Sequence, residues 1–137
     1  MRPMQAPPIE CARSVLIADD QPAFRKLLRR VLAELPADVI ECPDGAAAVV
    51  AYEQHRPDWA LLDWMMPNLD GLAATRSIRA RHPDARCVVI TVHFTQTLAR
   101  EADEAGACAC LPKEKLPDLL ALLRGPEPTP IIDPKHS

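Results

Sequence analysis

Four short apolar runs in this chain each lead to a residue able to do chemistry. Ser14–Ala18 runs into Asp19 and Asp20, Trp59–Leu62 into Asp63, Cys87–Ile90 into Thr91, and Cys108–Leu111 passes through Pro112 to Lys113. Taken singly, each has an ordinary role as a helix cap, a turn residue, a β-branched strand end or a solvated lysine. Gathered in one place they would behave differently. Three carboxylates repel by about 4 kcal/mol per pair at ~4 Å and an effective dielectric of ~20, so a cation must compensate them. A hard divalent ion suits an oxygen-only ligand set, and Mg2+ in particular holds few carboxylates and keeps waters to exchange for phosphate oxygens. A threonine hydroxyl and a lysine ammonium are what the peripheral oxygens of a phosphoryl group bind. An aspartate among them can itself accept the phosphoryl group.

Whether these residues meet depends on the elements that carry them. Ser14–Ala18, Val39–Cys42, Trp59–Leu62, Cys87–Ile90 and the weaker Cys108–Leu111 read as strands, the clearest of them apolar on both faces. Between them the period changes. From Pro22, residues Phe24, Leu27, Leu28, Val31, Leu32 and Leu35 recur at three- and four-residue steps, with Arg25, Lys26, Arg29 and Arg30 opposite, so an amphipathic helix is expected before Pro36. Further helices are expected over Ala46–His55 behind an Asp44-Gly45 cap, Leu72–Arg81 behind the turn Pro67–Gly71, Leu98–Ala105 ending at Gly106, and Leu116–Leu123 with Pro117 in its first turn. Strands alternating with helices at short spacing predict an α/β fold, a doubly wound parallel five-stranded sheet with helices on both faces. Right-handed crossovers bring every strand's carboxyl end to one edge, where ligands of such sheets bind. Asp19, Asp20, Asp63, Thr91 and Lys113 all fall on that edge.

Composition narrows the chemistry. At 137 residues the chain fits one domain, and its net charge of −3 argues against an electrostatic footprint for nucleic acid or anionic membrane. Five cysteines, an odd number, and the absence of a signal-like start favour a reducing, cytoplasmic setting. The pair Cys108 and Cys110 lacks the spacing and the second pair of a zinc site and reads as buried small hydrophobes. With four glycines and neither a G-x-x-x-x-G-K-[ST] nor a G-x-G-x-x-G run, no nucleotide cofactor is expected. G-x-S-x-G and H-E-x-x-H are also missing, which removes the common hydrolase and zinc protease readings. Seven of the fifteen prolines fall in the two short ends, so residues 1–12 and 125–137 read as tails around a domain at 13–124.

Val15–Pro22, Leu61–Gly71, Val89–Thr91 and Gly106 followed by Lys113 together resemble the receiver domain of bacterial two-component response regulators. That resemblance spans residues 14 to 124 and implies a flavodoxin-like (βα)5 fold. It further implies Asp63 as phosphoacceptor, and Mg2+ held by Asp20, Asp63 and the Met65 carbonyl, with Asp19 acting through water. Thr91 and Lys113 would bind phosphoryl oxygens. The phosphoryl donor would be a histidine kinase or a histidine phosphotransfer protein, and the output a protein contact through the fourth helix, fifth strand and fifth helix, with homodimerisation on activation left open. Such a domain is a phosphoacceptor that assists its own phosphorylation and dephosphorylation, not a turnover enzyme.

Lys113-Glu114, Thr91–His93 and Asp20–Arg25 look most like receivers of the NarL/LuxR type, which carry a helix-turn-helix output domain. Only thirteen residues follow Arg124, and they are proline-rich, so a single-domain regulator is the expectation, with an isolated receiver fragment as the alternative. Two positions depart from the family pattern. Cys110 stands where an aromatic residue often turns inward, and Val92 stands where a small residue is common, its methyls placed to restrict water. They keep open a degenerate receiver that acts as a phosphorylation-independent interaction module. A phosphohydrolase acting in trans would need a second acid two residues after its nucleophile, where this chain has Met65. Trp64 reads as an aromatic shield beside Asp63, and His93 as loop surface.

Overall fold

A computed structural model describes residues 12–125; the two proline-rich ends, apart from residues 12 and 125, lie outside the described residues. In chain order the elements are β1 (Ser14–Ala18), α1 (Pro22–Leu32), β2 (Asp38–Cys42), α2 (Gly45–His55), β3 (Trp59–Asp63), α3 (Gly71–Arg81), β4 (Cys87–Thr91), α4 (Gln96–Ala105), β5 (Ala109–Pro112) and α5 (Leu116–Arg124). The strands form one parallel sheet in the order β2-β1-β3-β4-β5. The expected doubly wound α/β architecture is therefore present, with its switch point between β1 and β3.

Burial explains why these runs are strands. In β3 and β4 every residue is buried, because helices cover both faces, whereas the edge strands β2 and β5 are only partly covered. Alternate residues feed two layers. Val15, Ile17, Leu61, Val88 and Ile90 pack with Leu28 and Leu32 of α1 and with Leu119 and Leu123 of α5. Leu16, Ala18, Ala60 and Leu62 pack with Ala48 of α2 and with Ala74 and Ile78 of α3. A third group joins Val89 to Leu72, Leu98 and Ala102 under α4. Each such Leu or Ile contributes roughly 1.5–3 kcal/mol on burial, so the two-sided core holds the strand ends in fixed register.

The structure differs from the sequence reading in detail. The first helix stops at Leu32, and Leu35 is buried from a turn instead, since the residue before Pro36 is disfavoured in α geometry. Leu27, counted on the apolar face, is 41% exposed, and Arg25, counted on the polar face, reaches inward. The fourth helix begins two residues early because the Thr95 hydroxyl accepts from the Leu98 N–H at 3.0 Å and caps it. Cys108 is exposed and precedes β5, so the buried reading of the Cys108–Cys110 pair fails for its first member. Gly106 takes the left-handed cap that its position after α4 predicts, at φ 103°.

Candidate functional site

The sheet's carboxyl edge brings five of the sequence-selected residues together. Asp19 follows β1 directly and is 1% exposed. Its Oδ1 accepts from the Gln21 N–H at 2.8 Å and its Oδ2 from Lys113 Nζ at 2.7 Å. Asp63 closes β3 at 7% exposure, with Oδ1 3.3 Å from the same Lys113 ammonium. Asp20 is exposed, yet one carboxylate oxygen from each of Asp19, Asp20 and Asp63 lies within 4.8 Å of the others. Thr91 ends β4 next to Asp63, its hydroxyl accepting from the His93 N–H at 2.9 Å and its carbonyl from the Lys113 N–H at 2.8 Å. The second bond places Lys113 by backbone pairing before its side chain makes any contact.

Electrostatics at this edge are unbalanced. Burial pushes the Asp63 carboxyl up to about 6, the Asp19 charge adds to the rise, and Lys113 offsets part of it. The Lys113 ammonium contacts two of the three carboxylates, Asp19 and Asp63. The donor set is all oxygen and converges on one point, so it fits a hard divalent cation that would complete the neutralisation.

A folded-back loop fixes Asp63. The Trp64 N–H donates to the Ile90 carbonyl and the Gly71 N–H donates to the Trp64 carbonyl, both at 2.9 Å, which closes the segment between β3 and α3. A Cβ on Gly71 would stand 2.4 Å from the Asp63 carbonyl oxygen, and one on Gly45 would stand 2.0 Å from that of Leu69. Only glycine fits at either place. Asn68 adopts φ 70° and donates from Nδ2 to Asp44 Oδ2 at 2.7 Å, while Asp44 Oδ1 caps α2 through the Ala47 N–H at 2.8 Å. Met65 lies in this loop two residues after Asp63 with its side chain exposed.

The neighbouring surfaces complete the site. Trp64 is half-buried and packs on the group formed by Val89, Leu72 and Leu98, as does the half-buried Cys110. Val92 is 60% exposed and His93 is at the surface, contributing its backbone N–H. The contacts of two residues escaped the sequence reading. Arg25 donates from Nη1 to the Asp19 carbonyl at 2.6 Å and from Nε to Glu41 at 3.1 Å, and the Phe24 ring centroid lies 4.1 Å from Lys113 Nζ. Their sequence signal was their place in the first turn of a helix that follows two acids, within the Asp20–Arg25 run.

Comparison with known proteins is consistent with this geometry. The response regulator receiver domain model matches residues 15–124. The transcriptional regulatory protein DegU of Brevibacillus brevis is 34% identical over 108 residues, covering 77% of this chain and 46% of DegU. The chemotaxis protein CheY of Bacillus subtilis is 32% identical over 97 residues, covering 70% of this chain and 81% of CheY. The signal receiver domain of the response regulator NarL from Mycobacterium tuberculosis superposes with a TM-score of 0.74 at 30% identity, covering 85% of this chain and 99% of that one. The chain thus spans about half the length of DegU and most of CheY.

Proposed function

The chain belongs to the response regulator receiver domain family, and from that membership together with the site's charge arrangement we propose that Asp63 accepts a phosphoryl group from a histidine kinase or a histidine phosphotransfer protein. The observation that carries this reading is a nearly buried carboxylate, Asp63, set between two further acids and an ammonium 3.3 Å away. A carboxylate oxygen of Asp63 attacks the phosphorus of a phosphohistidine. The O–P bond forms as the P–N bond breaks, and the electron pair returns to the imidazole nitrogen.

Asp20, Asp63 and the Met65 carbonyl would hold Mg2+, with Asp19 acting through water. When bound, the ion supplies charge neutralisation for the incoming phosphoryl oxygens. Lys113 stabilises the charge that develops on those oxygens, and the Thr91 hydroxyl turns from the His93 N–H to donate to them. The loop closed by Gly71 keeps the nucleophile from moving away. Turnover chemistry is not part of this reading: Met65 stands where a phosphohydrolase would need a second acid.

Phosphorylation adds charge and acceptor oxygens, and withdrawing the Thr91 hydroxyl from His93 releases the segment that leads into α4. The output surface is then the face formed by α4, β5 and α5, which contacts another protein. With Cys110 where an aromatic residue would turn inward, the switch runs through Thr91 and the β4–α4 connection.

Tryptophan fluorescence tests the reading. Trp64 emission should respond to Mg2+ and again to beryllium fluoride, and the second response should vanish in Asp63→Asn. A Trp64→Phe control separates the signal from Trp59. A wild-type protein blind to beryllium fluoride would favour the interaction module that needs no phosphorylation.

A further inference from the structure

The phosphoryl-binding lysine is held from a direction that the acid cluster does not explain. Lys113 is the one cation among the described residues paired with the carboxylate of Asp19 or Asp63, and its side chain is only 13% exposed. Its ammonium donates to Asp19 Oδ2 at 2.7 Å and lies 3.3 Å from Asp63 Oδ1. The remaining side is closed by the Phe24 ring, whose centroid lies 4.1 Å from Nζ, well inside the range of a cation–π contact. Phe24 sits in the first turn of α1, behind Pro22, and its ring also packs on the core between the sheet and α1. The ring is therefore anchored by packing on one side and offers its face to the ammonium on the other.

We propose that Phe24 is a positioning residue for phosphoryl binding: its ring face holds the Lys113 ammonium at the mouth of the site. The ring matters most when the acids change partner. Once a phosphoryl group and a metal ion engage Asp63, that carboxylate becomes a weaker partner for Lys113 than it is in the free site. The ring does not titrate, is not a metal ligand and keeps its negative face in place throughout. It leaves the long lysine side chain free to swing from Asp19 toward a phosphoryl oxygen while preventing it from leaving the edge. This deepens the phosphoacceptor reading and rests on it for its functional consequence, though the Phe24–Lys113 contact itself does not.

A double-mutant cycle tests both parts. Phe24→Leu keeps an apolar side chain and removes the ring face; Phe24→Tyr restores it. In the presence of Mg2+, Phe24→Leu should weaken beryllium fluoride binding about five-fold, the scale of one partly desolvated cation–π contact. Phe24→Tyr should return to within about two-fold of wild type, and in a Lys113→Met background Phe24→Leu should have no further effect. In parallel, urea unfolding without metal should show the same non-additivity between the two sites. A five-fold loss that persists in the Lys113→Met background, or that Phe24→Tyr does not recover, would overturn the proposal and leave Phe24 as core filler. Should wild type fail to bind beryllium fluoride, the phosphoacceptor reading falls, and the metal-free cycle still decides the contact: additive effects on unfolding would overturn it.

Discussion

The two halves of the candidate site are built on opposite plans. On the acid side, Asp63 is locked by a loop in which Gly71 touches the Asp63 carbonyl, Gly45 touches Leu69, and Asn68 ties the loop to the cap of α2. On the hydroxyl side, Thr91 is buried, but residues 92–97 that follow are all exposed, and the Thr91 hydroxyl is held by a single local bond from His93. The proposed nucleophile is placed where backbone contacts permit one geometry. The group proposed to move is placed where little opposes movement. A response regulator receiver needs both, because phosphoryl transfer depends on fixed geometry and signalling on a segment with low local stability.

The largest break in that contrast should come from the acid side. Gly71→Ala forces a Cβ against backbone oxygen and should cost about 3 kcal/mol in urea unfolding, at the upper end for overpacking. A cost below about 1 kcal/mol would mean the loop yields and the acid side is not locked.

The charge imbalance gives the next effect. The folded Asp63 carboxyl lies at about 6, above its ordinary value of 3.8, so it binds its proton more tightly folded than unfolded. Its contribution to stability is fully present below pH 3.8 and is lost as pH rises through 6. In the metal-free protein, Asp63→Asn should abolish a fall in stability on the order of 2 kcal/mol across that window, seen as urea midpoints compared at acid and neutral pH. Identical pH profiles for the two proteins would remove the electrostatic argument for a cation.

Asn68 offers a smaller test. Its left-handed backbone and its bond to Asp44 together predict that Asn68→Ala loses about 1 kcal/mol, with Asn68→Gly less affected because glycine keeps the backbone freedom. The smallest effect belongs to the other half. Val92→Ala should change stability by no more than about 0.5 kcal/mol, since the side chain is exposed, while shortening the lifetime of the phosphorylated state by admitting water. A stability loss comparable to that of Asn68→Ala would show that the hydroxyl side is packed more firmly than its exposure indicates.

Much of this was legible in the sequence, for a definite reason. Strands buried on both faces are written as apolar runs, so the polar residue that ends each run marks the sheet edge, and Asp19, Asp63 and Thr91 could be placed there without coordinates. Lys113 was legible because Gly106 fixed the end of the preceding helix. What could not be read depends on contacts between elements distant in the chain. Phe24 and Arg25 looked like one core residue and one solvated residue of α1, because helical periodicity says nothing about which of them faces β5 or the Asp19 carbonyl. Gly45 looked like part of a cap, whereas its lack of a side chain serves a loop from the far side of β3. The early start of α4 was open to reading, since Thr95 is a good N-cap, but the polar run Thr95–Thr97 resembled loop.

Intact-mass measurement after incubation with Mg2+ and a small phosphodonor tests the central claim most directly. The wild type should gain one phosphoryl group, labile to acid, and Asp63→Asn should gain none. An unchanged wild-type mass under several donors, or a gain that persists in Asp63→Asn, would contradict it.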